Sequence, residues 1–262
     1  MRLPIYQVDA FADKVFRGNP AAICPLPQWL PEPTMQAIAA ENNLAETAFF
    51  VREGGDYALR WFTPTVEVDL CGHATLGSAH IVFSFLEPQR ERVGFRTFKA
   101  GTLNVVRQGD MLAMDFPSRP PSPVEPPPGL LAAVGGMPRE ILRARDYLLV
   151  YDSAAEVRAL APDSAALARI PDCWAACATA PGEDGVDFVS RFFAPAQGIP
   201  EDPATGSSHC TLTPYWAKRL GKTELKARQL SHRGGALDCT LNGDRVSIAG
   251  RAVLYLEGQI TV

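Results

Sequence analysis

The chain has no apolar run long enough to cross a membrane as a helix, and no excess of charge of either sign. The first absence excludes a helical membrane span. The second, a formal charge of −4 with a pI near 5.6, removes the electrostatic footprint that nucleic acid or an anionic membrane would require. The opening residues MRLPIYQVDAF lack the layout of a secretory signal, with its charged start, apolar middle and small-residue cleavage site, so the expectation is a cytoplasmic protein. A disulfide framework is equally lacking. The six cysteines (Cys24, Cys71, Cys173, Cys177, Cys210 and Cys239) are dispersed, and free thiols are expected. Cys173 and Cys177 have a spacing suited to one helix face but no further His or Cys pair nearby. Structural zinc normally needs four ligands, so buried thiols are expected there and no metal site.

What is present is globular: 47% hydrophobic residues, 21% charged and 13 Phe. A length of 262 residues corresponds to roughly 1.7 domains on a soft prior of about 150 residues each. An internal repeat sharpens this. Arg60-Trp61-Phe62-Thr63-Pro64 is echoed by Arg191-Phe192-Phe193-Ala194-Pro195 at an offset of 131 residues, and Gly72-His73-Ala74-Thr75 by Asp202-Pro203-Ala204-Thr205 at 130. That period is too long for a solenoid unit and reads as two copies of one domain. Between the copies, seven of the twelve residues from 117 to 128 are proline, which reads as a stiff linker. The expected domains are residues 1–116 and 129–251, with 252–262 left free to join the first.

Along the chain, Leu3 to Phe11 and Ala21 to Cys24 read as strands separated by a turn at Arg17-Gly18-Asn19-Pro20. The segment PEPTMQAIAAENN reads as a helix, with prolines at its entry and an Asn pair at its end. In the strand Leu44 to Val51, alternation places Glu46 on one face with Leu44, Ala48 and Phe50. A carboxylate among apolar side chains is a candidate proton carrier, because desolvation disfavours its charged form. The alternative is an edge-strand Glu that points to water. After a strand from Tyr57 to Phe62, Gly72 opens HATLGSAHIVFSFL, a nearly uncharged segment that suits a helix enclosed by other structure. His73 falls in its first turn, where free N–H groups attract a carboxylate; His80 is expected to be a hydrogen-bonded core histidine. Further strands are expected at Val93 to Phe98, Gly101 to Arg107 and Met111 to Phe116. In the second half, strands are expected at Arg145 to Tyr151, Val186 to Phe193, Ala227 to Gln229, Leu237 to Leu241, Arg245 to Ile248 and Val253 to Val262. Helical punctuation is read at Pro138 to Leu142 and at Pro162 to Ile170. A helix over SHCTLTPYWAKRLG is expected to end at Gly221 and to be kinked by Pro214.

Four motifs in order, Gly18-Asn19-Pro20-Ala21-Ala22, Asn43-Leu44-Ala45-Glu46-Thr47, Leu70-Cys71-Gly72-His73-Ala74-Thr75 and Glu201-Asp202-Pro203-Ala204-Thr205-Gly206-Ser207, make the chain resemble the PhzF-like family of phenazine biosynthesis from end to end. The resemblance implies an α+β fold of the diaminopimelate-epimerase type: two pseudo-symmetric domains, each a barrel-like, mostly antiparallel sheet around a central helix, with the active site in the cleft between them. It also implies a homodimer and no cofactor. Carried over to these positions, Glu46 is the proton-shuttling carboxylate, and His73, Asp202 and Ser207 hold the substrate and assist transfer. Gly72 and Gly206 bring backbone N–H groups close to the ligand, with Ala74 and Thr75 beside them. The chain departs from the family pattern at Ala45, where the phenazine enzyme itself has Ser, and at Ser208, where many relatives have Ala. Both departures leave the substrate open.

The chemistry expected from these residues is isomerisation of a small carboxylate-bearing, cyclic or unsaturated substrate. Glu46 removes a proton from one carbon and returns it at another, while helix N-termini and His73 hold the developing charge. Asp202 is read equally well as a helix cap before Pro203. Two alternatives stand beside this reading. One is a two-base racemase or epimerase using Cys71, whose counterpart in the second half is Thr205, a very weak acid. The other is a catalytically silent small-molecule-binding protein on an enzyme fold.

Overall fold

The alternating apolar residues of the first half become strands that wrap one helix, as the computed structural model, which describes residues 1–262, shows. The chain divides into two compact units, Met1–Asp115 with Ala249–Val262, and Phe116–Ile248. The first contains β1 (Arg2–Ala10), β2 (Asn19–Leu26), α1 (Glu32–Asn42), β3 (Glu46–Glu53), β4 (Asp56–Phe62), β5 (Glu67–Val68), α2 (Gly72–Ile81), β6 (Arg92–Arg96), β7 (Thr102–Gln108) and most of β8 (Met111–Pro117). β1 pairs antiparallel with β2 and with the chain's last strand, Ala252–Thr261. β2 and β3 are parallel, β3 and β4 antiparallel, β4 and β6 parallel, and β6, β7 and β8 form an antiparallel meander. α1 begins behind Pro31 and ends at Asn43, whose left-handed φ of 49° aims its N–H at the Ala39 carbonyl. α2 is the enclosed helix: every side chain from His73 to Ala79 is buried. It approaches β2 closely because Gly77 has no Cβ; one would sit 3.2 Å from Ile23 Cδ1. Beyond Ile81 the helix widens into a π-turn at Val82–Leu86, so the apolar segment is helical to its end but not as a single α-helix.

The second unit repeats the design. β9 (Ser122–Pro123), α3 (Leu130–Val134), β10 (Glu140–Arg143), β11 (Tyr147–Val150), α4 (Ala154–Ala159), α5 (Ser164–Leu167), β12 (Ala176–Pro181), β13 (Phe188–Ala194), β14 (Ile199–Asp202), α6 (His209–Leu220), β15 (Glu224–Gln229), β16 (Gly235–Asn242) and β17 (Arg245–Gly250) follow in order. β11–β12 and β13–β15 are parallel, and β10–β11, β12–β13 and β15–β16 antiparallel. The apolar faces of β11, β12 and β13 pack with α3, α4 and α5 around Leu149, Val157 and Phe193. The proline-rich run is tied into this unit, since Ser122 and Pro123 pair with Arg143 and Leu142.

Three expectations are corrected here. Pro138 to Leu142 is not helical; Glu140–Arg143 is a strand between β9 and β11. Cys177 lies in β12 and Cys173 in the loop before it, so their spacing does not mark a helix face. Asn19 opens β2 instead of closing a turn. Pro214 lies inside α6, and the structure explains its tolerance. Proline there removes the N–H that would bond the Cys210 carbonyl, and the backbone N–H of Arg119 donates to that carbonyl instead, at 2.8 Å.

Candidate active site

In the first unit the candidate side chains converge from β2, β3 and the start of α2. Glu46 is the first residue of β3, held by its parallel pairing to Ala21 of β2, and is buried. His73 is the second residue of α2, and Cys71 is the residue before that helix. His73 Nε2 lies 3.1 Å from Glu46 Oε2, but off the line of the N–H, so this oxygen receives no hydrogen bond of ordinary geometry. On the other side of the ring, Nδ1 is 3.2 Å from the Asn19 amide and 3.5 Å from Cys71 Sγ. Burial by itself lowers the His73 pKa. The charges of Cys71 and Glu46, with the close approach of the Cys71 sulfur, act upward and carry it well above its ordinary value. Burial, and then Glu46, push the Cys71 thiol up to about 11.

The first bond of α2 runs from Thr75 N–H to the Cys71 carbonyl, which leaves the amides of Gly72, His73 and Ala74 outside the helical ladder. The Ala74 amide serves the Cys71 sulfur. Thr75 is committed inward: its hydroxyl donates to the Cys71 carbonyl at 2.6 Å. Its value to the site is therefore to hold the first turn. His80 is half-buried in the last turn of α2, and burial and Arg107 lower its pKa. Asn19 was not foreseen as a site residue, and Gly18 fixes its placement. Gly18 has φ +63°, and an added Cβ would collide with the Ala10 carbonyl oxygen. Gly18→Ala is accordingly expected to cost about 2 kcal/mol or more, from left-handed strain and the clash together. Urea denaturation monitored by circular dichroism checks this.

In the second unit Asp202 ends β14, half-buried, and accepts the Thr205 hydroxyl at 2.5 Å. Gln229, buried on β15, organises the loop: its Oε1 accepts Thr205 N–H at 2.8 Å and its Nε2 donates to the Asp202 carbonyl at 2.7 Å. Gly206 and Ser207 lie in a 3₁₀ turn that leads into α6. Arg145 Nη2 stands 3.4 Å from Ser207 Oγ; its guanidinium is held by both oxygens of Asp146 and lies 4.1 Å over the Trp174 ring. Arg145 and Gln229 belong to the constellation, and neither was legible in the sequence.

The repeated arginines have one role in both units. Arg60 binds both oxygens of Glu67 at 2.6 Å, and Arg191 both oxygens of Glu201 at 2.7 and 2.9 Å, so each arginine closes the short hairpin that precedes its unit's helix.

The profile of a family described as phenazine biosynthesis-like protein (PhzC-PhzF) matches residues 8–258. A Pseudomonas aeruginosa protein described as an uncharacterized isomerase is 53% identical over 260 residues, covering 99% of each chain. A crystal structure of a PhzF-family phenazine biosynthesis protein from Enterococcus faecalis superposes with a TM-score of 0.97 at 45% identity, covering 100% of each chain. The structure of a predicted epimerase from Pseudomonas aeruginosa, at 21% identity, a TM-score of 0.72 and 99% coverage of each chain, shares the fold. The architecture is thus α+β of the diaminopimelate-epimerase type. No helix is long and apolar enough to cross a membrane.

Proposed function

The chain belongs to the phenazine biosynthesis-like family, and from that premise we propose that it is a cofactor-independent isomerase in which Glu46 carries a proton between two carbons of a small, carboxylate-bearing, cyclic or unsaturated substrate. One observation carries the reading: a buried carboxylate oxygen without a hydrogen bond of its own, 3.1 Å from an imidazole whose pKa is raised. A base that deprotonates carbon works best when desolvated and held in place with a lone pair left free. Glu46 takes the proton, the electrons delocalise over the unsaturated system, and the same carboxyl returns the proton at a second carbon. His73 and the free amides at the start of α2 stabilise the intermediate charge. In the second unit Ser207, with Arg145 beside it, suits a substrate carboxylate, and Asp202 suits an amine or hydroxyl.

The alternative with an observation in its favour is two-base epimerisation, since Cys71 touches His73. A thiol pushed up to about 11, and a threonine, Thr205, in the place before Gly206 that Cys71 takes before Gly72, disfavour it. Incubation in D2O with a panel of cyclic and unsaturated amino and carboxylic acids, followed by NMR, separates the readings. Migration of a double bond is expected, with deuterium at the new carbon to the extent that the Glu46 carboxyl exchanges with solvent before it returns its proton. Inversion at a single carbon would replace this reading with epimerisation, and a panel bound but never exchanged would leave a silent binding protein.

A further inference from the structure

We propose that Asn19 is a positioning residue for His73: its side-chain amide keeps the proton of the neutral imidazole on Nε2, so that the ring meets a ligand as a hydrogen-bond donor. The fold brings the two side chains together across 54 residues of chain. Asn19 is the first residue of β2, where it pairs with Ala10 of β1, and two residues later Ala21 pairs with Glu46 of β3. One strand thus carries Asn19 and, through Ala21, holds Glu46 beside the first turn of α2. Asn19 and His73 are buried, at 0% and 6% exposure. A polar pair withdrawn from water takes the arrangement that matches its own donors to its own acceptors.

Three contacts act on the ring, and all favour the same tautomer. Asn19 Nδ2, which can only donate, lies 3.2 Å from Nδ1. The Cys71 thiol, a weak donor, has its sulfur 3.5 Å from Nδ1 and 3.9 Å from Nε2, so it too serves the nearer nitrogen. Both make Nδ1 the acceptor and leave Nε2 to carry the proton. On the other side of the ring, Glu46 Oε2 is 3.1 Å from Nε2. A proton on Nε2 puts an N–H dipole beside that oxygen, whereas a bare Nε2 would set two lone pairs against each other in a medium of low dielectric. Because the oxygen lies off the N–H line, this proton is not committed to Glu46 and remains free for a ligand. When the ring takes a second proton, at Nδ1, the amide turns over to present Oδ1, and Nε2–H is unchanged. The consequence rests on the proposed function: His73 donates to the developing charge and never takes the substrate proton, which leaves Glu46 the one base.

The test reads the ring nitrogens and needs no substrate. Protein carrying 15N-labelled histidine is followed by two-bond proton–nitrogen NMR correlation from about pH 6 to about pH 10, and the His73 signals are identified by their loss in His73→Gln. The expected result is that Nδ1 alone loses its proton as the ring titrates, while Nε2 keeps one throughout. Asn19→Asp preserves the shape of the side chain but can only accept, so Nε2 is expected to become the nitrogen that titrates. A role for Asn19 in packing alone would leave the titrating nitrogen unchanged. If Asn19→Asp does not fold by circular dichroism, Asn19→Ala serves. It is expected to raise the Nδ1–H share of the neutral ring relative to Nε2–H about 5-fold, the weight of one lost neutral hydrogen bond. Loss of the Nε2 proton in the native protein, an Nδ1 proton retained to the end of the titration, or an Asn19→Asp ring that still titrates at Nδ1 would overturn the proposal. An unchanged tautomer ratio in Asn19→Ala would do the same. Nitrogen signals as expected, in a protein that exchanges nothing on the substrate panel, would sink the isomerase reading and leave the position of the proton standing.

Discussion

Glu46→Gln is expected to slow proton exchange into the substrate by about 10³-fold, in the middle of the range for a positioned general base, or about 4 kcal/mol of barrier. The substitution is nearly isosteric, and Glu46 Oε2 accepts no hydrogen bond that an amide would forfeit, so the fold should survive. A second readout comes from the partner. In the native protein, burial acts to lower the His73 pKa and the charges of Cys71 and Glu46 overcome it. Without the carboxylate one of the two upward influences is gone, while that of Cys71 remains. The imidazole NMR titration of His73 should then move downward from its raised position. The linked stability follows in sign. A raised folded pKa means that the pair's stabilisation is complete below the unfolded value of His and is lost as pH rises through the folded value. Glu46→Gln should flatten that alkaline loss. Exchange within a few-fold of wild type would remove Glu46 as the proton carrier, and an unmoved His73 titration would remove the charge coupling between the two side chains.

How far the sequence revealed this site depended on the range of the interactions. Glu46 on a strand and His73 in the first turn of α2 follow from local pattern: alternation in one case, a small-residue helix opened by Gly72 in the other. The bidentate closure of Arg60 on Glu67 and Arg191 on Glu201 lies behind the visible repeat, over 7 and 10 residues. Asn19 against His73, Arg145 against Ser207 and Gln229 against Thr205 are separated by 54, 62 and 24 residues. Nothing in the intervening sequence marks such pairs. The misread elements share another cause. β12, Ala176–Pro181, is ACATAP, with little of the β-branched and aromatic bulk that usually signals a strand, and takes its conformation from Tyr147–Val150 and β13 on either side. Glu140–Arg143 sits behind a proline that suggests a helix start, yet is captured by β9 and β11. Pro214 looked disruptive because the donor that replaces its missing N–H, Arg119, lies 95 positions away across the unit. Cys71 reads locally as a small buried hydrophobe, and nothing local marks its approach to within 3.5 Å of His73 Nδ1.

The second unit should be acid-labile through His209. This residue opens α6 and is fully buried; its Nδ1 lies 2.8 Å from the Thr205 carbonyl oxygen and 3.3 Å from Ser208 Oγ, while Nε2 has no partner. Its ring lies against Phe188, 5.8 Å between centroids. A second proton on Nε2 would sit unsolvated at the positive end of a helix. Burial, only partly opposed by the Thr205 bond, lowers the pKa from 6.5 to about 4. Here the sign is opposite to that of His73. Between the two values the unfolded chain holds the extra proton, so stability is complete above about 6.5 and falls as pH drops to about 4. At about 1.4 kcal/mol per unit the loss is about 3 kcal/mol. Urea denaturation at pH 7.5 and pH 4.5, compared between the native protein and His209→Gln, isolates the contribution, because ordinary carboxylate titrations are common to both. The variant starts less stable but should lose less on acidification; equal losses would refute the assignment. The same residue bonds the carbonyl that begins the Gly206-Ser207 turn, so protonation expels the ring and releases the segment that presents Ser207. Binding of a carboxylate at that turn should therefore decline over the same acid range, before the first unit's β1–β2–β3 sheet gives way.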